Sequence, residues 1–260
     1  MEILTDEELT RFRRDGYLTI DPGISTEVID DVVDEMAPNY TEKGTRHEGG
    51  VIYQKGRITH AWRFSENVLA IASAPRVLQI LEDLYGCRML PFQTLNFWIG
   101  TQQAPHSDAM HFRPAEPEMM CGVWVAFEDM DMGNGPLIYY PGSQSLPFLD
   151  YGDVGFDAVE SDFPSYEHYI HERNRHYQDH IRGLLAERGF EPEYGTIRKG
   201  QALVWAANLL HGGAKQEDRS RSRHSQVTHY LPERSFAYHT PMRMEGEEEF
   251  WTEPDAIVRS

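Results

Sequence analysis

The residues best suited to chemistry are the imidazole and carboxylate of Pro105-His106-Ser107-Asp108, which directly follow the strand-like run Gln93 to Gly100. In an extended segment the side chains at i and i+2 leave the backbone on one side, so His106 and Asp108 can converge on a single ion. A neutral imidazole beside a carboxylate suits borderline metals such as iron. With 12 histidines in the chain, one His-x-Asp tripeptide is weak evidence. It is strengthened about a hundred residues on by Val204-Trp205-Ala206-Ala207-Asn208-Leu209-Leu210-His211-Gly212-Gly213, where a histidine ends an apolar run at what reads as a glycine turn. His211 supplies the distant third ligand that a two-histidine, one-carboxylate facial triad needs. Arg219, Arg221 and Arg223 follow. An arginine fork can hold a carboxylate bidentately, as the far end of an iron-chelated keto-acid requires, and spacing alone does not choose among the three. Singly, the ordinary readings are a loop histidine, a turn aspartate and a surface cation; the ordered set points to a metal oxygenase.

These residues need a β-rich frame, and the sequence predicts one. Residues 1–87 read as mainly helical. Thr5 and Glu8 make a capping box for a helix ended by Gly16, followed by strand-like Tyr17 to Ile20. Ser25 caps a second helix through Met36, and Pro75 opens a third that Gly86 closes. From residue 88 the pattern changes: 88–99, 120–127, 136–140, 201–206 and 224–231 are short runs rich in β-branched and aromatic residues, bounded by turn formers. An antiparallel sandwich or barrel with flanking helices is expected, with its core in 88–144 and 196–235. The insertion 145–195, with a helix near 165–188, is expected to form a lid or substrate wall.

Composition narrows the function. The 260 residues, 40% of them hydrophobic, can fill one core, and no linker or repeat divides the chain, so one domain over 1–260 is expected. A formal charge of -18 repels phosphate backbones and anionic membrane surfaces, so nucleic acid and membrane are not expected partners. MEILTDEELT lacks the basic and apolar regions of a signal peptide, which leads to an expected cytoplasmic location. Cys87 and Cys121, both in apolar stretches, read as core residues rather than a disulfide or thiolate cluster.

Along most of its length the chain resembles the phytanoyl-CoA dioxygenase family of iron and 2-oxoglutarate oxygenases. The stretches carrying the likeness are LTDEELTRFRRDGYLTI, PFQTLNFWIGTQQAPHSDAMHF, GVWVAFEDMDMGNGPLIYYPGS and HGGAKQEDRSRSRHSQVTHYL. The resemblance implies a double-stranded β-helix, or jelly roll, of cupin type. It implies Fe(II) held by His106, Asp108 and His211, and 2-oxoglutarate held by Arg223, which stands before the matching pair His229-Tyr230. Trp124 matches a family tryptophan whose indole would lie against the co-substrate, and Gln93 is expected to join that site. Two positions depart from the pattern: a common serine after the distal histidine is Gly213, which removes one hydroxyl contact, and a PGSH motif reads Pro141-Gly142-Ser143-Gln144.

The chemistry so implied is oxidation of a small molecule by O2, with 2-oxoglutarate converted to succinate and carbon dioxide. Because Asp108 is retained where related halogenases carry a small residue, hydroxylation of an unactivated C–H is expected; desaturation, epoxidation or cyclisation would need no different ligands. Asn96 and Trp98 on the strand before the triad, Met110, His111 and Arg113 beyond Asp108, and Tyr139 are candidate substrate residues. A natural-product intermediate or an amino-acid-like metabolite fits better than a coenzyme A ester, for which there is no basic cluster. A cupin-type metal protein without 2-oxoglutarate and a non-catalytic binding protein are the alternatives.

Overall fold

The computed structural model describes residues 3–41, 44–235, 237–238 and 251–252. Helix α1 (Asp6–Asp15) begins where Thr5 and Glu8 cap each other reciprocally and ends at Gly16 in the left-handed region. Strand β1 (Tyr17–Ile20) follows, then α2 (Thr26–Met36), capped by Ser25. Helices α3 (Glu66–Ala72) and α4 (Pro75–Tyr85) complete the helical layer, the latter opening on Pro75 and closing at Gly86.

Between α2 and α3 the chain departs from the helical reading of its first part. Strands β2 (Arg46–Glu48), β3 (Val51–Gln54) and β4 (Arg57–Thr59) form an antiparallel meander that extends the main sheet. They are short, and β2 is exposed at every position, so little hydrophobic alternation marks them. The legible signal is glycine: Gly49, Gly50 and Gly56 take positive φ at the two turns, and a Cβ on Gly56 would meet Ile99 at 2.6 Å.

The other expected strands coincide with β5 (Met89–Phe97), β6 (Cys121–Ala126), β7 (Leu137–Tyr139), β9 (Ala202–Ala206) and β11 (Ser225–Pro232); β8 (Glu193–Tyr194) and β10 (His211–Gly213) are short additions. An eight-stranded sheet runs β1-β9-β6-β11-β5-β4-β3-β2, and a three-stranded sheet runs β10-β7-β8. One face of the large sheet, through Val123, Val125, Ala202 and Val204, packs on Ile29, Val32, Val77 and Leu81 of the helices. Its other face, through Trp124, Leu203, Trp205 and Val227, meets Leu137 and Tyr139 of the small sheet. Central strands buried on both faces read as continuous apolar runs, as Cys121 to Ala126 does. The architecture is the expected jelly roll with flanking helices.

Helix α6 (Tyr166–Arg188), capped by Ser165, buries only Tyr177, Ile181 and Leu185. These pack with Val154, Phe156, Met110 and Leu210, which joins the insertion to both segments that carry the candidate ligands.

Candidate metal centre

His106 and His211 are neighbours because their backbones form one antiparallel bridge, each N–H donating to the other's carbonyl, at 2.9 and 3.0 Å. The glycines after His211 make that approach possible and are strand, not the expected turn. A Cβ on Gly212 would sit 2.5 Å from the Gln103 carbonyl, and one on Gly213 would sit 2.8 Å from the Gln102 nitrogen. The latter contact gives a reason for glycine where the family often has serine. After extended Ser107 the chain turns into the short helix α5 (Asp108–Phe112), so Asp108 reaches the histidines from a helix start rather than along a strand.

The ligand-capable atoms of His106, Asp108 and His211 lie within 4.8 Å of one another, and all three residues are buried. Each imidazole donates from Nδ1 to a backbone carbonyl, His106 to Ala104 (3.0 Å) and His211 to Leu209 (2.9 Å). That fixes the tautomer with the Nε2 lone pair free. The two Nε2 atoms stand 3.7 and 3.6 Å from the Asp108 oxygens, a gap that one ion at about 2.1 Å from each atom can bridge. The donor set fits a first-row divalent metal such as iron.

Asp108 is itself held. Trp205 Nε1 donates to Oδ2 at 2.8 Å, and His229 Nε2 lies 3.3 Å from the same oxygen. Burial alone would raise the Asp108 carboxyl; His211 and His229 more than offset it and hold the group well below the carboxylate range. Burial, then His211 and His111, hold His106 well below the ordinary imidazole range.

Since the unfolded chain binds a proton on His106 below pH 6.5 and the folded chain does not, stability rises with pH up to that value and is lost as pH falls below it. Asp108 adds a second loss below 3.8. Melting of metal-free protein between about pH 7.5 and 5 is expected to show up to about 1.4 kcal/mol per pH unit from His106, a slope that His106→Gln removes.

Neither Trp205 nor His229 is marked as a site residue by sequence; Trp205 reads only as part of an apolar run. Gly122, paired with Trp205 across β6 and β9, completes this arrangement, because a Cβ there would sit 2.3 Å from the Trp205 ring. Gly122→Ala is therefore expected to displace the indole, cost about 1–3 kcal/mol and weaken metal binding, as read by thermal melting and metal titration.

Of the three arginines, Arg221 is paired with Asp131 at 2.7 Å and Arg219 is exposed, whereas Arg223 is only 3% exposed. Its guanidinium lies 5.5 Å from the Trp124 ring and 5.6 Å from that of Phe97, and its Nε has no hydrogen-bond partner. Among the described residues no carboxylate lies within ion-pair distance of it, and burial pulls it down to about 10, still charged at neutral pH. Trp124 Nε1 is buried without a partner as well. Trp124 shares the inner sheet face with Trp205, since Gly122 and Trp124 point to the same side of β6, and Arg223 lies against the Trp124 ring. An anionic co-substrate reaching from the metal would satisfy them. Gln93 is buried and pairs with His229 across β5 and β11.

The candidate substrate residues divide. Asn96 lies on the opposite sheet face: its amide donates to Gln226, which donates to the Val68 carbonyl of α3. Trp98, on the same parity, is 39% exposed and packs near Tyr40. Both sit away from the triad, because β5 is buried on both faces and parity alone does not reveal which face holds the metal. The His111 ring lies 5.0 Å from that of His106, tilted to it by 59°, Met110 packs under α6, and Arg113 caps α5. Tyr139 pairs with His211 across the small sheet. Gln144 donates to the Arg13 and Arg14 carbonyls that end α1, a structural clasp outside the metal centre. A groove of about 510 Å³ among Gln102, Ile138, Tyr140 and Lys215 lies on the outer side of the small sheet.

Tyr177, also unmarked by sequence, accepts from the Ser107 N–H between the two first ligands, at 2.9 Å. The single Ser107 hydroxyl proton is in turn shared between the Ala207 carbonyl and Asn208 Oδ1, near His211.

In comparison with known proteins, the non-haem α-ketoglutarate-dependent epimerase SnoN from nogalamycin biosynthesis superposes with a TM-score of 0.66 at 18% identity, over 98% of this chain and 95% of that one. The carbocyclase SnoK of the same biosynthesis gives 0.64 at 15% identity, over 90% and 87%. Phytanoyl-CoA dioxygenase domain-containing protein 1 of Danio rerio is 26% identical over 195 residues, 56% of this chain and 67% of that one. The family model for phytanoyl-CoA dioxygenase matches residues 12–225, and the chain belongs to that family.

Proposed function

We propose that the chain is an Fe(II)- and 2-oxoglutarate-dependent oxygenase that hydroxylates an unactivated C–H of a small molecule, with release of succinate and CO2. The observation that carries this is the buried, unpaired guanidinium of Arg223 on the same inner face as a His-Asp-His cluster. A redox-inert metal site has no need of such a clamp, whereas a dicarboxylate co-substrate would pair with it. SnoN has been solved with Fe3+, α-ketoglutarate and nogalamycin RO, which supports the cofactor assignment.

Iron and 2-oxoglutarate, when bound, would supply the two-electron oxidation of a C–H by O2. His106, Asp108 and His211 would hold the metal. Trp205 keeps Asp108 oriented, Arg223 fixes the far carboxylate of the co-substrate, and Trp124 walls it. Met110 and the α6 insertion exclude water from the substrate side. The metal ligands do not set the reaction type, as an epimerase and a carbocyclase on this fold illustrate.

The test is anaerobic titration of Fe(II)-loaded protein with 2-oxoglutarate. The expected result is the weak visible charge-transfer band of the chelate, and succinate on admitting O2. A protein that binds iron without giving the band would be a cupin-type metal protein, and one that binds no iron would be non-catalytic.

A further inference from the structure

One peptide plane in the metal centre is held from both sides. The carbonyl of the His106–Ser107 peptide accepts from the His211 N–H at 3.0 Å, and its N–H donates to the Tyr177 hydroxyl at 2.9 Å. A peptide is planar and its soft dihedrals lie at the flanking Cα atoms, so pinning both of its polar groups fixes how the backbone leaves His106 and enters Ser107. Asp108 follows at once, where the chain passes from extended Ser107 (φ -100°, ψ 133°) into the first residue of α5. The placement of Asp108 relative to His106 therefore rests on one group from the distal ligand and one from the insertion, 70 residues away.

Ser107 has no freedom left to compensate. Its hydroxyl caps no N–H of α5, being turned to the Ala207 carbonyl and Asn208 Oδ1, and the Ala109 N–H meets the same Ala207 carbonyl at 3.2 Å. Asn208 in turn donates to the Gln144 and Leu146 carbonyls, where the chain enters the insertion. The insertion is thus bonded at its start to the segment before His211, and from its helix to the residue between His106 and Asp108.

Packing follows the same lines. Of the 23 residues of α6 only Tyr177, Ile181 and Leu185 are buried, a single stripe at i, i+4 and i+8. The buried members of their cluster that come from outside the insertion are Met110, two residues after Asp108, and Leu210, the residue before His211. What α6 docks on is the backbone that carries the ligands.

We infer that Tyr177 is a positioning residue of the metal centre: its hydroxyl holds the His106–Ser107 peptide in the orientation that brings His106 and Asp108 onto one ion, so that docking of α6 and binding of the metal support each other. The coupling is reciprocal, because whatever factor docked α6 adds to metal affinity, bound metal adds to the docking of α6. The inference rests on the metal-binding part of the oxygenase reading and not on 2-oxoglutarate.

Zn(II), redox-inert and suited to the same ligands, is the probe. Its affinity is measured by competition with a chelator, and hydrogen exchange across 166–188 is followed by mass spectrometry in metal-free protein and at equal fractional saturation. In wild type, Zn(II) is expected to slow exchange in α6 by about tenfold. Tyr177→Phe keeps the ring and removes only the acceptor; it is expected to weaken Zn(II) binding by about tenfold or more and to lose most of that slowing. Leu185→Ala, two turns along the same stripe, loosens docking without touching the peptide. Exchange in α6 should then quicken with and without metal, while Zn(II) affinity stays near that of wild type. Unchanged affinity in Tyr177→Phe, equal losses of affinity in the two variants, or α6 exchange indifferent to Zn(II) in wild type would overturn the assignment. Protein that behaves as expected with Zn(II) but gives no charge-transfer band with Fe(II) and 2-oxoglutarate would sink the oxygenase reading and leave the role of Tyr177 standing.

Discussion

Arg223→Met is expected to lower 2-oxoglutarate affinity by about 100-fold or more while leaving the ligand-free protein at least as stable as wild type. The ligand-free chain buries a guanidinium whose Nε is unpaired and which burial already pulls down to about 10. A cation buried without an ion-pair partner is a cost, and replacing it with an apolar side chain of similar length removes that cost; even for buried ion pairs, apolar replacement is often neutral or stabilising by about 1–4 kcal/mol. The bound state loses instead. A bidentate, charge-assisted pair contributes about 3 kcal/mol, equivalent to a factor of roughly 100 in affinity. Arg223→Lys keeps the charge but not the fork, so it should recover only a minor part. Titration of the chelate band together with thermal melting reads both quantities. A melting point well below wild type, or unchanged affinity, would count against the clamp.

This pairing of opposite effects also marks what the sequence could convey. His106, Asp108 and His211 are legible because two stand at i and i+2 and the third ends an apolar run, signals local to each segment. The choice of Arg223 over Arg221 is not local: both stand two residues apart just before β11, and only the structure shows Arg221 taken by Asp131 and Arg223 sealed beneath Gly100 and Trp124. The same limit hides Trp205, Tyr177 and His229, whose roles depend on contacts with residues 97, 70 and 121 positions away. It misdirects Asn96 and Trp98 as well. Alternation along β5 says that two faces exist, and because Asn96 is as fully buried as any residue on the metal side, burial does not tell them apart. Helix ends fare better: capping is an interaction across three residues, so Thr5, Ser25, Gly16 and Gly86 mark boundaries that the fold respects.

Asp108→Asn, nearly isosteric, is expected to lose iron by at least about 100-fold, against the 10- to 100-fold typical of disturbing an outer partner of a ligand. A carboxylate has acceptors on both oxygens, so Asp108 can accept from Trp205 on Oδ2 and still present Oδ1, 3.7 Å from His106 Nε2, to a metal. An amide has one oxygen. The buried Trp205 N–H, with no solvent to turn to, would claim it and aim the NH2 group, which is no ligand, at the histidines. The loss should then arise from amide orientation as much as from the missing charge, and a second substitution separates the two. Trp205→Phe removes the competing donor while keeping an aromatic ring beside His211, so the double variant Asp108→Asn/Trp205→Phe should bind iron measurably more tightly than Asp108→Asn alone, although Trp205→Phe by itself weakens binding. Iron titrations of the four proteins form a cycle whose coupling term reads the hydrogen bond directly. Additive losses would mean that the indole packs beside Asp108 without directing it.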